Sequence, residues 1–123
     1  PWRTATTQLT ADGLDASWRG FVWCNPPYGP DTWQWLDRMA LHGEGIALIF
    51  ARTETEMFFE CMWEKAWAVL FLKGRLTFCR PDGPRAEHNS GAPSVLVAYG
   101  AEDLEELAGC DLAGQYIQLM HCR

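Results

Sequence analysis

Cys24, Asn25, Pro26, Pro27, Tyr28 and Gly29 bring a side-chain amide, two prolines and a phenol into one short stretch. Consecutive prolines fix φ and remove two backbone N–H donors, so such a turn presents carbonyl oxygens and the Asn25 side-chain oxygen to whatever lies over it. It is a rigid acceptor site. An amine on an aromatic ring, N6 of adenine for instance, is a poor nucleophile because its lone pair is delocalised into the ring. The Asn25 amide oxygen and the Pro26 carbonyl can together hold both amine hydrogens and favour a tetrahedral nitrogen whose lone pair faces an electrophile. Tyr28 then supplies a face for the base. Stacking of this kind is worth roughly 1–3 kcal/mol, which helps offset extracting a base from a duplex.

The elements around this stretch must present it. Residues 20–24 form an apolar run of strand length, read as buried, and Pro30, Asp31 and Thr32 read as a helix start. The acceptor turn therefore leaves the carboxyl end of a strand, where ligands bind in open α/β sheets. In the helix that follows, Trp33, Leu36 and Ala40, with Met39 beside them, have helical spacing, Trp33 and Trp35 read as packing residues, and Gly43 is a stop. The continuous apolar run 46–51 predicts a central strand buried on both faces.

A second polar turn, Arg52 to Glu56, follows that strand, and Thr53 and Glu56 have capping-box spacing for a helix over 56–66 with Phe58, Cys61, Met62 and Ala66 on one face. Arg52 would project from the carboxyl edge beside the acceptor turn, as a substrate contact or a structural ion pair. Residues 67–72 read as a strand and 75–79 as a second run, with Lys73-Gly74 either a tight turn between them or a bulge. Residues 80–93, broken by Pro81, Gly83, Pro84, Gly91 and Pro93, form a long loop. A strand over 94–99, a short acidic helix over 101–108 packed through Leu104, Leu107 and Ala108, and an edge strand over 114–120 complete the reading.

The chain has 123 residues, 48% hydrophobic and 21% charged, which bounds it to one globular domain. Its net charge of −6 argues against bulk attraction to nucleic acid. The charge is uneven: acids dominate after residue 101, while Lys73, Arg75, Arg80 and Arg85 form a local basic segment that can meet phosphate. Five cysteines without a C-x-x-C spacing, and His42, His88 and His121 without ligand spacing, predict neither a disulfide framework nor a metal site. The longest apolar runs are far short of the about 20 residues a membrane span needs, so the expectation is a soluble, cytoplasmic protein in a reducing compartment, with no membrane partner.

The acceptor turn after an apolar strand resembles the catalytic motif of S-adenosylmethionine-dependent amino-methyltransferases. With Asp12-Gly13-Leu14, Trp18 and Gly20, Ala51-Arg52-Thr53, Gly74-Arg75-Leu76 and Phe78, and Ala92-Pro93-Ser94, the chain resembles the phage and prophage DNA N6-adenine methyltransferases over most of its length. The resemblance implies an α/β fold: the C-terminal portion of a Rossmann-like class I methyltransferase sheet, mostly parallel with an antiparallel edge. It implies S-adenosylmethionine as methyl donor, DNA as substrate, and Asn25, Pro26, Pro27 and Tyr28 as the catalytic turn. Asp12 becomes a candidate for the donor's adenine amine, against a solvated turn aspartate, with Asn25 also near the donor. It puts Arg52 and Thr53 beside the target base or DNA backbone, although helix capping suffices to explain Thr53. Arg75, Arg80, Arg85, His88 and Asn89 are candidates for DNA contact, against a surface loop with incidental charge.

The family's Gly-rich loop and ribose-binding acid lie before the Asp-Gly-Leu position, where this chain has eleven residues. The donor-binding portion is therefore expected to be missing. A longer enzyme, a second chain or a non-catalytic remnant would each explain that, and a sheet edge left by missing strands would invite a homodimer. Cytosine N4 methylation, protein glutamine methylation, a DNA-binding module and a plain structural domain are the alternatives to adenine N6 methylation.

Overall fold

The computed structural model describes residues 13–76 and 92–119. Strand β1 (Val22–Cys24) leads through α1 (Thr32–His42) to β2 (Gly45–Phe50), and α2 (Glu56–Phe58) runs into a π-helical segment, Phe59–Trp63, before β3 (Ala68–Leu72). Then come β4 (Ser94–Ala98), α3 (Asp103–Ala108) and β5 (Gly114–Gln118). The strands form one five-stranded sheet in the order β1-β2-β4-β3-β5.

This is an α/β fold with an open mixed sheet, and the expectation of a mostly parallel sheet is corrected. Only β1 and β2 pair parallel, while β2 with β4, β4 with β3, and β3 with β5 pair antiparallel. The reason lies in β4, which inserts between β2 and β3 and runs against both. Strands β1, β2 and β3 still point the same way. Their carboxyl ends and the amino end of β4 therefore meet along one edge of the sheet.

Alternation along the strands builds two cores. On one face Ala47, Ile49, Val95 and Val97 pack with Leu36 and Met39 of α1 and with Phe58, Cys61 and Met62. Each fully buried Leu or Met there contributes about 1.5–3 kcal/mol. On the other face Ile46, Leu48, Leu96 and Ala98 pack under Leu107 of α3. That six-residue helix covers only part of its face. Val22 packs against the first core and Cys24 is buried in it, whereas Trp23, between them in a period-2 strand, stays 56% exposed beside Phe21. The run 20–24, expected to be buried, is a half-open edge strand.

Helix α1 ends as expected, at Gly43 with φ 74° and its N–H on Met39 O. Its buried stripe is Thr32, Leu36 and Met39. Trp35 packs against the core, but Trp33 is exposed, which corrects its reading as a packing residue. The stripe is rotated by one residue because Thr32 takes the inward place in the first turn. The segment before β1 closes on itself, Trp18 Nε1 donating to Gly13 O at 2.8 Å, and is tied onto this helix by Arg38, 4.5 Å over the Trp18 ring, and by His42, whose Nε2 contacts Gly20 O at 2.7 Å.

Thr55, not Thr53, caps α2. Its backbone is extended and its hydroxyl accepts from Phe58 N–H at 3.2 Å, which puts Glu56 at the first helical position rather than the third. The expected face of Phe58, Cys61, Met62 and Ala66 is buried. Where the segment ends, Lys65 and Ala66 N–H both turn to Met62 O, and the Cys61 carbonyl accepts from the buried Tyr99 hydroxyl at 2.5 Å. Leu104 and Leu107 pack as expected, while Ala108 is exposed.

After β3 the chain bends at Lys73-Gly74, and Arg75 and Leu76 continue outside any strand. The neighbour of β3 on its outer side is β5, the expected edge strand, and Lys73 N–H reaches Ala113 O at 2.8 Å. The rest of the expected run 75–79 lies outside the described residues.

Candidate acceptor site at the carboxyl edge of the sheet

The turn after β1 is held by one side chain. Thr32 Oγ1 donates to Pro27 O at 2.8 Å and accepts from Gly29 N–H at 3.0 Å, while Thr32 N–H reaches Gly29 O at 3.2 Å. Thr32 is itself 1% exposed. The first turn of α1 thus clamps both sides of Tyr28. Pro26 is buried, and Asn25, Pro27 and Tyr28 are exposed. Among the described residues the Asn25 amide makes no hydrogen bond, and Asn25 is exposed at the cleft it lines. Cys24 is buried in the core, and burial raises its thiol pKa to about 11. It is a neutral packing group at neutral pH.

Tyr28 leans on Phe50, the last residue of β2, with ring centroids 4.4 Å apart and planes 60° to one another. Phe50 lies opposite Ser94 in the β2–β4 register, so the two share the face that α3 only partly covers. Asn25, Pro26, Tyr28, Leu48, Phe50 and Ser94 line a cleft of about 180 Å³. An enclosed cavity of about 150 Å³ holds a benzene ring, so this open cleft is of the size to receive one face or edge of an aromatic ligand. Ser94 is 1% exposed and its hydroxyl has no hydrogen-bond partner among the described residues.

The other sequence candidates divide. Arg52 is exposed, with Cζ 5.9 Å from the Phe50 centroid, and it makes no ion pair with the described residues, whose one salt bridge joins Lys65 to Asp37. The Arg52 carbonyl accepts from the Thr55 hydroxyl at 2.8 Å, which fixes the start of this second turn. Thr53 is exposed and caps no helix, and its carbonyl accepts from Trp63 Nε1 at 3.4 Å. Pro27 does not line the cleft and acts through its carbonyl on Thr32. Arg75 follows β3 at the same end of the sheet but is not among the lining residues. Asp12, Arg80, Arg85, His88 and Asn89 lie outside the described residues.

Three participants were not picked out from the sequence for what they do here. Phe50 carried a faint signal, closing an apolar run immediately before Arg52. Thr32 carried another, standing three residues after Gly29 at a helix start. Ser94 carried none, because burial without a partner is a property of the packed sheet. A further apolar groove of about 320 Å³, lined by Phe21, Trp23, Leu72, Leu76 and Leu112, shares Leu48 with the acceptor cleft.

Fold and site together define an open-sheet α/β domain with a rigid acceptor turn at the carboxyl end of its edge strand. Compared with family models, curated proteins and solved structures, the chain matches none. Among the described residues no helix is long and apolar enough to cross a membrane, and no group of three His, Cys, Asp or Glu side chains could hold a metal.

Proposed function

We propose that the chain carries the target-base part of an S-adenosylmethionine-dependent DNA adenine N6-methyltransferase. The observation that carries this reading is the cleft itself, which Asn25 and Pro26 line together with Tyr28 and Phe50, whose rings lie 4.4 Å apart. The order of turns and strands supports it: acceptor turn, Arg-Thr turn, and a late strand entering antiparallel. An adenine extracted from DNA would stack on Tyr28, with Asn25 Oδ1 and the Pro26 carbonyl each taking one amine hydrogen. That arrangement draws the nitrogen towards tetrahedral geometry and frees its lone pair for an electrophile. Arg52, beside Phe50, would meet the phosphate of the displaced nucleotide.

The described residues fit the acceptor base and not the donor. No carboxylate lines the cleft to take ribose hydroxyls, and the space suits one ring system rather than a nucleoside with its methionine tail. In this proposal the donor is held by groups outside the described residues, Asp12 among them, or by a second chain paired at the β1 edge.

The test is calorimetric titration with S-adenosylmethionine, with and without DNA containing an unpaired adenine, followed by transfer of a labelled methyl group. Asn25→Ala is expected to retain the urea midpoint of the wild type and lose transfer by at least about a hundredfold. Near wild-type transfer by that variant would refute the mechanism.

A second reading, a DNA-binding module without catalysis, draws on one observation: Arg52 and the bend carrying Lys73 and Arg75 emerge at the same end of the sheet. It is distinguished by DNA binding that falls steeply with salt and ignores the methyl donor.

A further inference from the structure

The cleft contains one polar group that the proposed chemistry does not use. Among its lining residues only Asn25, Tyr28 and Ser94 have polar side chains. Asn25 and Tyr28 are exposed and can meet water, whereas the Ser94 hydroxyl is buried and has no partner among the described residues. Its backbone position is fixed. Ser94 pairs with Phe50 across the β2–β4 ladder, and the adjacent Pro93 carbonyl accepts from Ala51 N–H at 2.8 Å. A buried hydroxyl without a partner costs stability that an alanine of nearly the same size would not. A ligand that supplies the missing partner would account for such a group.

We propose that Ser94 is a positioning residue that donates its hydroxyl proton to a ring nitrogen of the aromatic ligand admitted by this cleft. The inference rests on the reading of the cleft as a nucleobase site and extends it to specificity. An amino-nucleobase presents amine donors with an acceptor nitrogen on a neighbouring ring position. A site offering acceptors from Asn25 and Pro26 together with one donor from Ser94 complements that pattern. A lactam base such as hypoxanthine replaces the amine by a carbonyl, which would face the acceptors of Asn25 and Pro26 and lose both contacts, while its protonated neighbouring nitrogen would reverse the Ser94 contact, the hydroxyl then accepting instead of donating.

The experiment is a chemical-shift titration of the 123-residue protein, following the Tyr28 and Phe50 ring resonances. The probes are 2′-deoxyadenosine, its 1-deaza and 7-deaza analogues, and 2′-deoxyinosine. Wild type is expected to bind deoxyadenosine, to lose about tenfold with the 1-deaza analogue but little with the 7-deaza analogue, and to bind deoxyinosine at least about tenfold more weakly. Ser94→Ala is expected to bind deoxyadenosine about tenfold more weakly than wild type and to treat the two deaza analogues alike. It should also melt a few degrees, about 3–6 °C, above wild type, since an unpaired buried hydroxyl is gone. Equal wild-type affinity for deoxyadenosine and its 1-deaza analogue, or a lower melting temperature for Ser94→Ala, would overturn the role of Ser94 while leaving the base cleft standing. Absence of any deoxyadenosine effect on Tyr28 and Phe50 would overturn the base cleft and this inference together.

Discussion

Thr32→Val isolates the clamp on the acceptor turn. Valine keeps the β-branched shape at a site 1% exposed, so packing under α1 is preserved while two hydrogen bonds disappear, the 2.8 Å bond to Pro27 O and the 3.0 Å bond from Gly29 N–H. Each contributes about 0.5–1.5 kcal/mol net. Pro27 and Gly29 are exposed, so water recovers part of the loss, and the added methyl returns a little more. The expected destabilisation is therefore about 1–2 kcal/mol. With a urea m-value of about 1.5 kcal/mol/M, that lowers the midpoint by roughly 1 M at unchanged m. Thr32→Ser, which keeps the hydroxyl, should recover most of it, and deoxyadenosine binding should weaken in the valine variant only. A midpoint for Thr32→Val within about 0.2 M of wild type would refute the claim that this side chain holds the turn.

Two further substitutions test the support beneath the site. Asp103, 3% exposed, accepts from Gly45 N–H at 2.6 Å and so ties α3 to the start of β2. Asp103→Ala should cost about 1.5–3 kcal/mol in urea unfolding. Burial, reinforced by Glu44 and Glu102 and opposed by the Gly45 and Gly100 backbone bonds, raises the Asp103 carboxyl above its ordinary value. Between that ordinary value and the raised one, the folded state binds more protons than the unfolded state. The stability contributed by Asp103 then falls as pH rises through the window and is level above it. Subtracting the pH profile of Asp103→Asn from that of wild type should leave this downward step, and a rising difference would contradict the assignment. At Gly45 a Cβ would lie within 2.2 Å of Val22 O, the backbone of the neighbouring parallel strand. Gly45→Ala should therefore part β1 from β2 at a cost of about 3 kcal/mol or more. Amide exchange at residues 22–24 should accelerate first, and unchanged protection there would sink the argument.

Much of this protein was legible in its residues. The continuous apolar run 46–51 could only be a buried strand, Gly43 could end a helix in the left-handed region without penalty, and the pair of prolines after Asn25 fixed a stiff acceptor turn by covalent geometry alone. These are local effects, set by a few neighbouring residues. The position of β4 was not local. Its apolar run is compatible with either direction and any neighbour, and only burial of Val95 and Val97 against one core and Leu96 and Ala98 against the other fixed it between β2 and β3. The cap on α2 moved from Thr53 to Thr55 because the chain first turns from Phe50 through Arg52, a choice made by the end of the sheet. Trp23 and Trp33, apolar in the sequence and exposed in the fold, follow from which face each neighbouring element happens to cover. The stiffness of the turn at Pro26 and Pro27 and its lack of backbone donors there were therefore legible in the sequence, through fixed φ angles and the missing N–H groups. The Phe50 ring beneath Tyr28 and the orphaned hydroxyl of Ser94 were decided by tertiary structure, because strand pairing brings residues 28, 50 and 94 together across separations that no local pattern encodes.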